Sequence, residues 1–116
     1  MSEHIEQLAW DLVACAQRPP MHPTTCAVLR LVAAMEGVSF RKCIEIVPCD
    51  VETVRQQLNR LCIQGLVERV ARKRMGRKAQ NYYYLTRAGL RVVNMWKVAY
   101  NARLRQLRQE LELHEN

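Results

Sequence analysis

The chain has 116 residues, 49% of them apolar and 25% charged, which is the size and composition of one folded domain spanning 1–116. That length excludes glycoside hydrolases, Rossmann enzymes and barrels. No apolar run approaches the ~20 residues of a membrane span, and the acidic start lacks the basic region of a signal peptide. The formal net charge of +7 is confined to one stretch: residues 1–65 carry 6 basic and 7 acidic side chains, 66–91 carry 8 basic against Glu68 alone, and 92–116 carry 4 against 3. A positive field concentrated in this way suits a polyanionic partner. Five cysteines without a CxxC pair and three scattered histidines exclude a disulfide framework or zinc finger. They suit a reducing cytoplasm and imply neither a metal nor a cofactor.

In chain order, Ile5, Leu8, Leu12 and Cys15 recur at three- and four-residue steps and predict a helix over 3–17, stopped by Arg18-Pro19-Pro20. Thr24 or Thr25 caps a second helix running to Met35, with Val28, Leu31, Val32 and Met35 inward and Gly37 as its C-terminal cap. Ser39 caps a short third helix carrying Phe40, Cys43, Ile44 and Val47, ended by Pro48. Asp50 caps a fourth helix that closes at Gly65. Its apolar face is Val51, Val54, Leu58, Leu61 and Cys62, and its outer face is Glu52, Thr53, Gln56, Asn59, Arg60 and Ile63.

Past Gly65 the texture changes. Residues 66–70 and 81–85 read as two strands of a hairpin around the basic turn ARKRMGRKAQ. Thr86 caps a long helix over roughly 87–114, whose seam is Leu90, Val93, Tyr100, Leu104, Leu107 and Leu111. Trp10, Trp96 and Tyr82–Tyr84 read as core and wing packing. The predicted fold is mainly α with a small β-hairpin. Residues 1–20 and 87–116 form dimerisation helices around a DNA-binding part over 22–86.

Two helices joined by a tight turn, the second polar outside, make a helix-turn-helix whose second helix fits the DNA major groove. Gln, Asn and Arg are the side chains that hydrogen-bond base edges in pairs. Thr53, Gln56, Asn59 and Arg60 are therefore the candidate base contacts, with Arg55 and Gln57 at the sides for phosphate. Arg72, Lys73, Arg74, Arg77 and Lys78 around Met75-Gly76 are the candidates for backbone or minor-groove contact. Cys49 is the one candidate redox thiol: it precedes a helix N-terminus, whose partial charge favours a thiolate, while Asp50 opposes it. No Ser-His-Asp set, carboxylate pair or Gly-rich phosphate loop is present, so no enzymatic activity is expected.

The stretch TVRQQLNRLCIQGLVER at 53–69 resembles the T-V-x-x-x-L-x-x-L-x-x-x-G-L-V-x-R signature of winged helix-turn-helix regulators. The stretch GRK at 76–78, followed by YLTRAG at 84–89, is similar to the wing and exit of the MarR and PadR-like families. The resemblance covers about residues 22–95 and implies a winged-helix transcriptional regulator. The reading is a dimeric regulator of double-stranded DNA, most simply a repressor on an inverted repeat, with Ile5, Leu8 and Leu12 joining the long-helix seam in the dimer. A small-molecule effector is left open. The alternatives are a replication-control or architectural DNA-binding protein, and a winged-helix interaction module that ignores DNA.

Overall fold

The computed structural model describes residues 2–17, 21–73 and 75–115, with the backbone alone for Ser2, His114 and Glu115; the expected stop at Arg18, Pro19 and Pro20 lies outside them. The chain runs α1 (Ser2–Cys15), α2 (Pro23–Ala34), β1 (Val38–Ser39), α3 (Phe40–Ile46), α4 (Val51–Ile63), β2 (Val67–Arg72), β3 (Gln80–Leu85) and α5 (Arg87–Glu115). Contacts sort it into two units: Thr24–Val93, and Met1–Pro23 with Asn94–Asn116.

In the unit Thr24–Val93, capping works as the sequence demands. The Ser39 hydroxyl accepts from Lys42 N at 3.1 Å, and the Asp50 carboxylate accepts from Thr53 N at 2.7 Å. Each satisfies a donor that a first helical turn leaves open. The Thr53 N–H and hydroxyl also hold the Asp50 carboxyl below its ordinary pKa. After α4, Gly65 turns the chain at φ +75°, and Leu66 N donates back to Leu61 O at 3.0 Å. Thr86 does two tasks: its hydroxyl donates to Gly65 O at 2.7 Å and accepts from Gly89 N at 3.0 Å. It thus caps α5 and ties that helix start to the end of α4. Gly89 is required there, because a Cβ would collide with the carbonyl of Leu66.

The sheet has three strands, not the expected two, in the order β1-β3-β2. β1 pairs antiparallel with β3 through Val38↔Tyr83 and Ser39↔Tyr82, and β2 pairs with β3 from Val67↔Leu85 to Arg72↔Gln80. Two residues are too short a run for alternation to register, so β1 exists only through its partner. Gly37 is not the cap of α2, which ends at Ala34; at φ +85° it leads the chain into β1, beneath the ring of Tyr84.

The core of this unit contains Val28, Leu29, Val32, Val38, Cys43, Val54, Leu58, Leu61, Val67 and Tyr83. Burial raises the Cys43 thiol pKa to about 11, with its backbone hydrogen bond pulling slightly the other way, which makes it a small hydrophobe rather than a nucleophile. Thr25 is not a cap. Helix α2 starts at Pro23, a residue suited to the first helical turn, and Thr25 is buried with its hydroxyl donating to Gln57 Oε1. Val51, expected inward, is 44% exposed.

In the other unit, Ala9, Val13, Ala14 and Trp96 are buried, and Trp10 stacks on Tyr100 with ring centroids 4.2 Å apart. The expected stripe of α1 is the wetter one. Leu8 is 47% exposed, Cys15 is exposed, and Ile5 and Leu12 are half-buried. Leu104 and Leu107 are half-buried, and Leu111 and Val98 are exposed. Leu90 and Val93 of the expected seam fall in the unit Thr24–Val93. Leu90 is exposed, whereas Val93 is buried within the chain at 2% exposure and cannot line an open seam. No helix among the described residues is long and apolar enough to cross a membrane.

Candidate nucleic-acid interface

The N-terminal cap at Asp50 and the glycine turn at Gly65 fix the two ends of α4, and Val54, Leu58 and Leu61 bury one face of it. The opposite face is thereby committed to the surface. Gln56, Asn59 and Arg60 are exposed there and line an open groove with Ile63 and Gln64. Ile63 is 86% exposed, an apolar side chain among hydrogen-bonding ones. Thr53 is half-buried, with its backbone N–H engaged by the cap.

Gln57 is a correction. It is 9% exposed and its amide oxygen accepts from Thr25, so it joins α4 to α2 and cannot reach phosphate. It directly follows Gln56 of the outer face, and at 100° per residue that single step carries a side chain from surface to core. Arg55 is exposed. Its guanidinium lies 3.6 Å from Glu52 and 5.0 Å over the ring of Phe40. A solvent-exposed pair of this kind contributes little, so a phosphate can replace the carboxylate.

Four of the wing cations converge. Arg72, Lys73, Arg77 and Lys78 line one cleft of about 430 Å³ with Gln80 and Tyr82. The strand register explains the grouping. Arg72 lies on the sheet face that also carries Tyr82 and Tyr84, and its guanidinium sits 5.8 Å and 5.1 Å from their ring centroids. Met75 at the tip is fully exposed and Gly76 has φ +76°. Arg74 lies outside the described residues.

The residue that sequence reasoning missed is Arg69. It follows the inward-facing Val67 by two, on the sheet face of Tyr83, whose ring centroid is 5.7 Å from its guanidinium. From there it donates to Asn59 Oδ1 on α4. It also lies beside Cys62, whose thiol is raised by burial while the neighbouring guanidinium pulls it down. No local pattern announces this, because Asn59 and Arg69 are ten residues apart with a turn between them. Cys49 is half-buried, with its N–H donating to Val47 O at 2.8 Å. Among the described residues, no three His, Cys, Asp or Glu side chains come together as a metal site.

A capped helix packed across a short helix, followed by a three-stranded sheet with a basic hairpin, defines a winged helix-turn-helix protein. No family model matches the chain and no curated protein matches it. Solved structures do match. Wild-type MarR from E. coli in its apo form superposes with a TM-score of 0.75 at 16% identity, covering 91% of this chain and 75% of that one. The PcaV transcriptional regulator from Streptomyces coelicolor gives 0.66 at 28% identity, covering 91% and 74%. A cysteine-to-serine mutant of MarR from E. coli complexed with operator DNA gives 0.69 at 16% identity, covering 91% and 73%. The chain is a winged-helix protein of MarR-like architecture; the PadR half of the resemblance is not shown by these neighbours.

Proposed function

We propose that this protein is a dimeric, sequence-specific binder of double-stranded DNA that regulates transcription, most simply as a repressor that blocks an operator by occupancy. One observation carries the reading. A strongly cationic cleft belongs to the wing of the same unit that presents Gln56, Asn59 and Arg60 on an exposed helix face. Cations on a hairpin supply sequence-independent affinity, and amide and guanidinium groups on a helix supply base readout. The MarR-like neighbour complexed with operator DNA supports the same assignment.

In this reading residues 22–86 contact DNA, while 1–20 and 87–116 associate with a second copy. The exposed Leu8 and Leu111 and the half-buried Ile5, Leu12, Leu104 and Leu107 supply the apolar contact. The action is non-catalytic and cytoplasmic. Two-fold symmetry places two recognition helices about one DNA turn apart, so the operator is an inverted repeat.

Selection of the full chain against a random DNA library, followed by footprinting, tests the proposal. The expected result is a single inverted repeat with a bounded footprint and a dimer in sedimentation. A salt-sensitive ladder of complexes on any DNA indicates an architectural or replication-control protein instead. No binding at physiological salt indicates an interaction module.

A further inference from the structure

The geometry points to Arg69 as a positioning residue that engages the Asn59 carboxamide oxygen, so that the recognition helix presents its amide donors foremost at this position. The inference rests on the DNA-binding reading above and specifies what one of its contacts recognises.

The argument starts from chemistry. A guanidinium has five donors and no acceptor, so the amide atom that meets it is the oxygen. Asn59 Oδ1 accepts from Arg69 Nη2, and the amide nitrogen is left for the groove that Asn59 lines with Gln56, Arg60, Ile63 and Gln64. Arg69 is itself held, over the ring of Tyr83, which is 4% exposed, on a strand paired residue by residue with β3. Arg69 is exposed, and these contacts bias it toward Asn59 before any DNA arrives. A free asparagine pairs with adenine by accepting from N6 and donating to N7. Here the accepting atom is engaged with a charged donor, the stronger class of hydrogen bond, and keeps only one of its two lone pairs. What remains matches an acceptor edge, guanine O6 and N7 or thymine O4. Adenine sets its N6 donor beside the N7 acceptor, and cytosine N4 is a donor, so both suit the amide donors less well than guanine or thymine.

The test is a random-library DNA selection on the full-length protein and three variants, with the base preference read position by position. The wild type should favour guanine or thymine at one position of each half-site. Arg69→Lys keeps a donor and should keep that preference. Arg69→Met frees the amide oxygen and should raise adenine at that position by about tenfold relative to wild type, leaving the positions read by Gln56 and Arg60 unchanged. Asn59→Asp retains the pairing with Arg69 but turns an acceptor outward, and should shift the same position to cytosine. This variant decides the matter if Arg69→Met does not fold. An enriched site whose profile is the same in Arg69→Met and Asn59→Asp as in wild type overturns this inference alone. A wild type that enriches no sequence overturns the DNA-binding reading and this inference with it.

Discussion

The two units of the chain manage their apolar side chains differently. In Thr24–Val93 the inner faces of α2 and α4 are buried: Leu29, Leu58 and Leu61 are fully enclosed, even the polar Thr25 and Gln57 are matched to each other, and Ile63 is the apolar side chain of α4 left most exposed. In Met1–Pro23 with Asn94–Asn116, Trp96 is enclosed but Leu8, Val98 and Leu111 remain exposed. The first unit completes a core from its own residues. The second leaves apolar surface that a second copy can cover, as obligate homodimers do. The difference teaches that association can be lost while the unit Thr24–Val93 keeps its fold.

The strongest way to break the contrast is to damage the finished core. Leu58→Ala should destabilise the unit Thr24–Val93 by about 2–5 kcal/mol, because a fully enclosed leucine leaves a cavity that its neighbours fill only in part. Denaturant unfolding followed by circular dichroism measures this, and a loss below 1 kcal/mol would contradict the enclosure seen here. Next comes the unfinished surface. Leu104→Glu combined with Leu107→Glu should place four carboxylates in the dimer seam, split the dimer in sedimentation and abolish tight operator binding. Hydrogen exchange across Thr24–Val93 should stay near wild type. Undiminished operator binding by this double variant would sink the dimeric reading.

Within the unit Thr24–Val93, two substitutions sharpen the division between helix and wing. Arg60→Ala should cost about 1–3 kcal/mol on the selected site and much less on random DNA. Arg77→Ala with Lys78→Ala should weaken both and reduce the salt slope by about one unit for each lost phosphate contact. Equal losses on both DNAs for Arg60→Ala would show that the helix does not read bases.

The next effect follows pH. The Asp50 carboxyl is held below its ordinary pKa by the Thr53 N–H, so its folded value lies under its unfolded one. The cap is therefore present above the ordinary carboxylate range, about pH 4, and is lost as pH falls through the lowered folded value. Asp50→Asn, which caps without titrating, should flatten the acid limb of a stability–pH curve; an unchanged limb would remove Asp50 from it. The smallest effect concerns Cys49. As an ordinary turn residue it should tolerate Cys49→Ser, with DNA binding the same in reducing buffer and in peroxide. A peroxide-dependent loss in wild type that vanishes in the variant would make it a sensor.

Much of this protein is legible along the chain because its controlling signals are local. Ser39, Asp50 and Thr86 each act on a backbone N–H three residues ahead, and Gly65 supplies the positive φ that ends α4. The outer face of α4 follows from 3.6-residue periodicity, and the basic wing follows from charge counting. Three features depended on the tertiary structure. β1 is two residues long and owes its existence to Tyr82 and Tyr83 across the sheet. Gln57 looks like a surface glutamine until Thr25, 32 residues earlier, buries it. Asn59 looks like a free amide until β2 brings Arg69 against it. Capping and periodicity act within one or two turns, so sequence alone determined the helices, the hairpin and the outer face of α4, but not β1 or the buried face of α1. Which polar groups on those faces are already paired depends on residues that only folding brings together, because a hydrogen bond needs its partner in place.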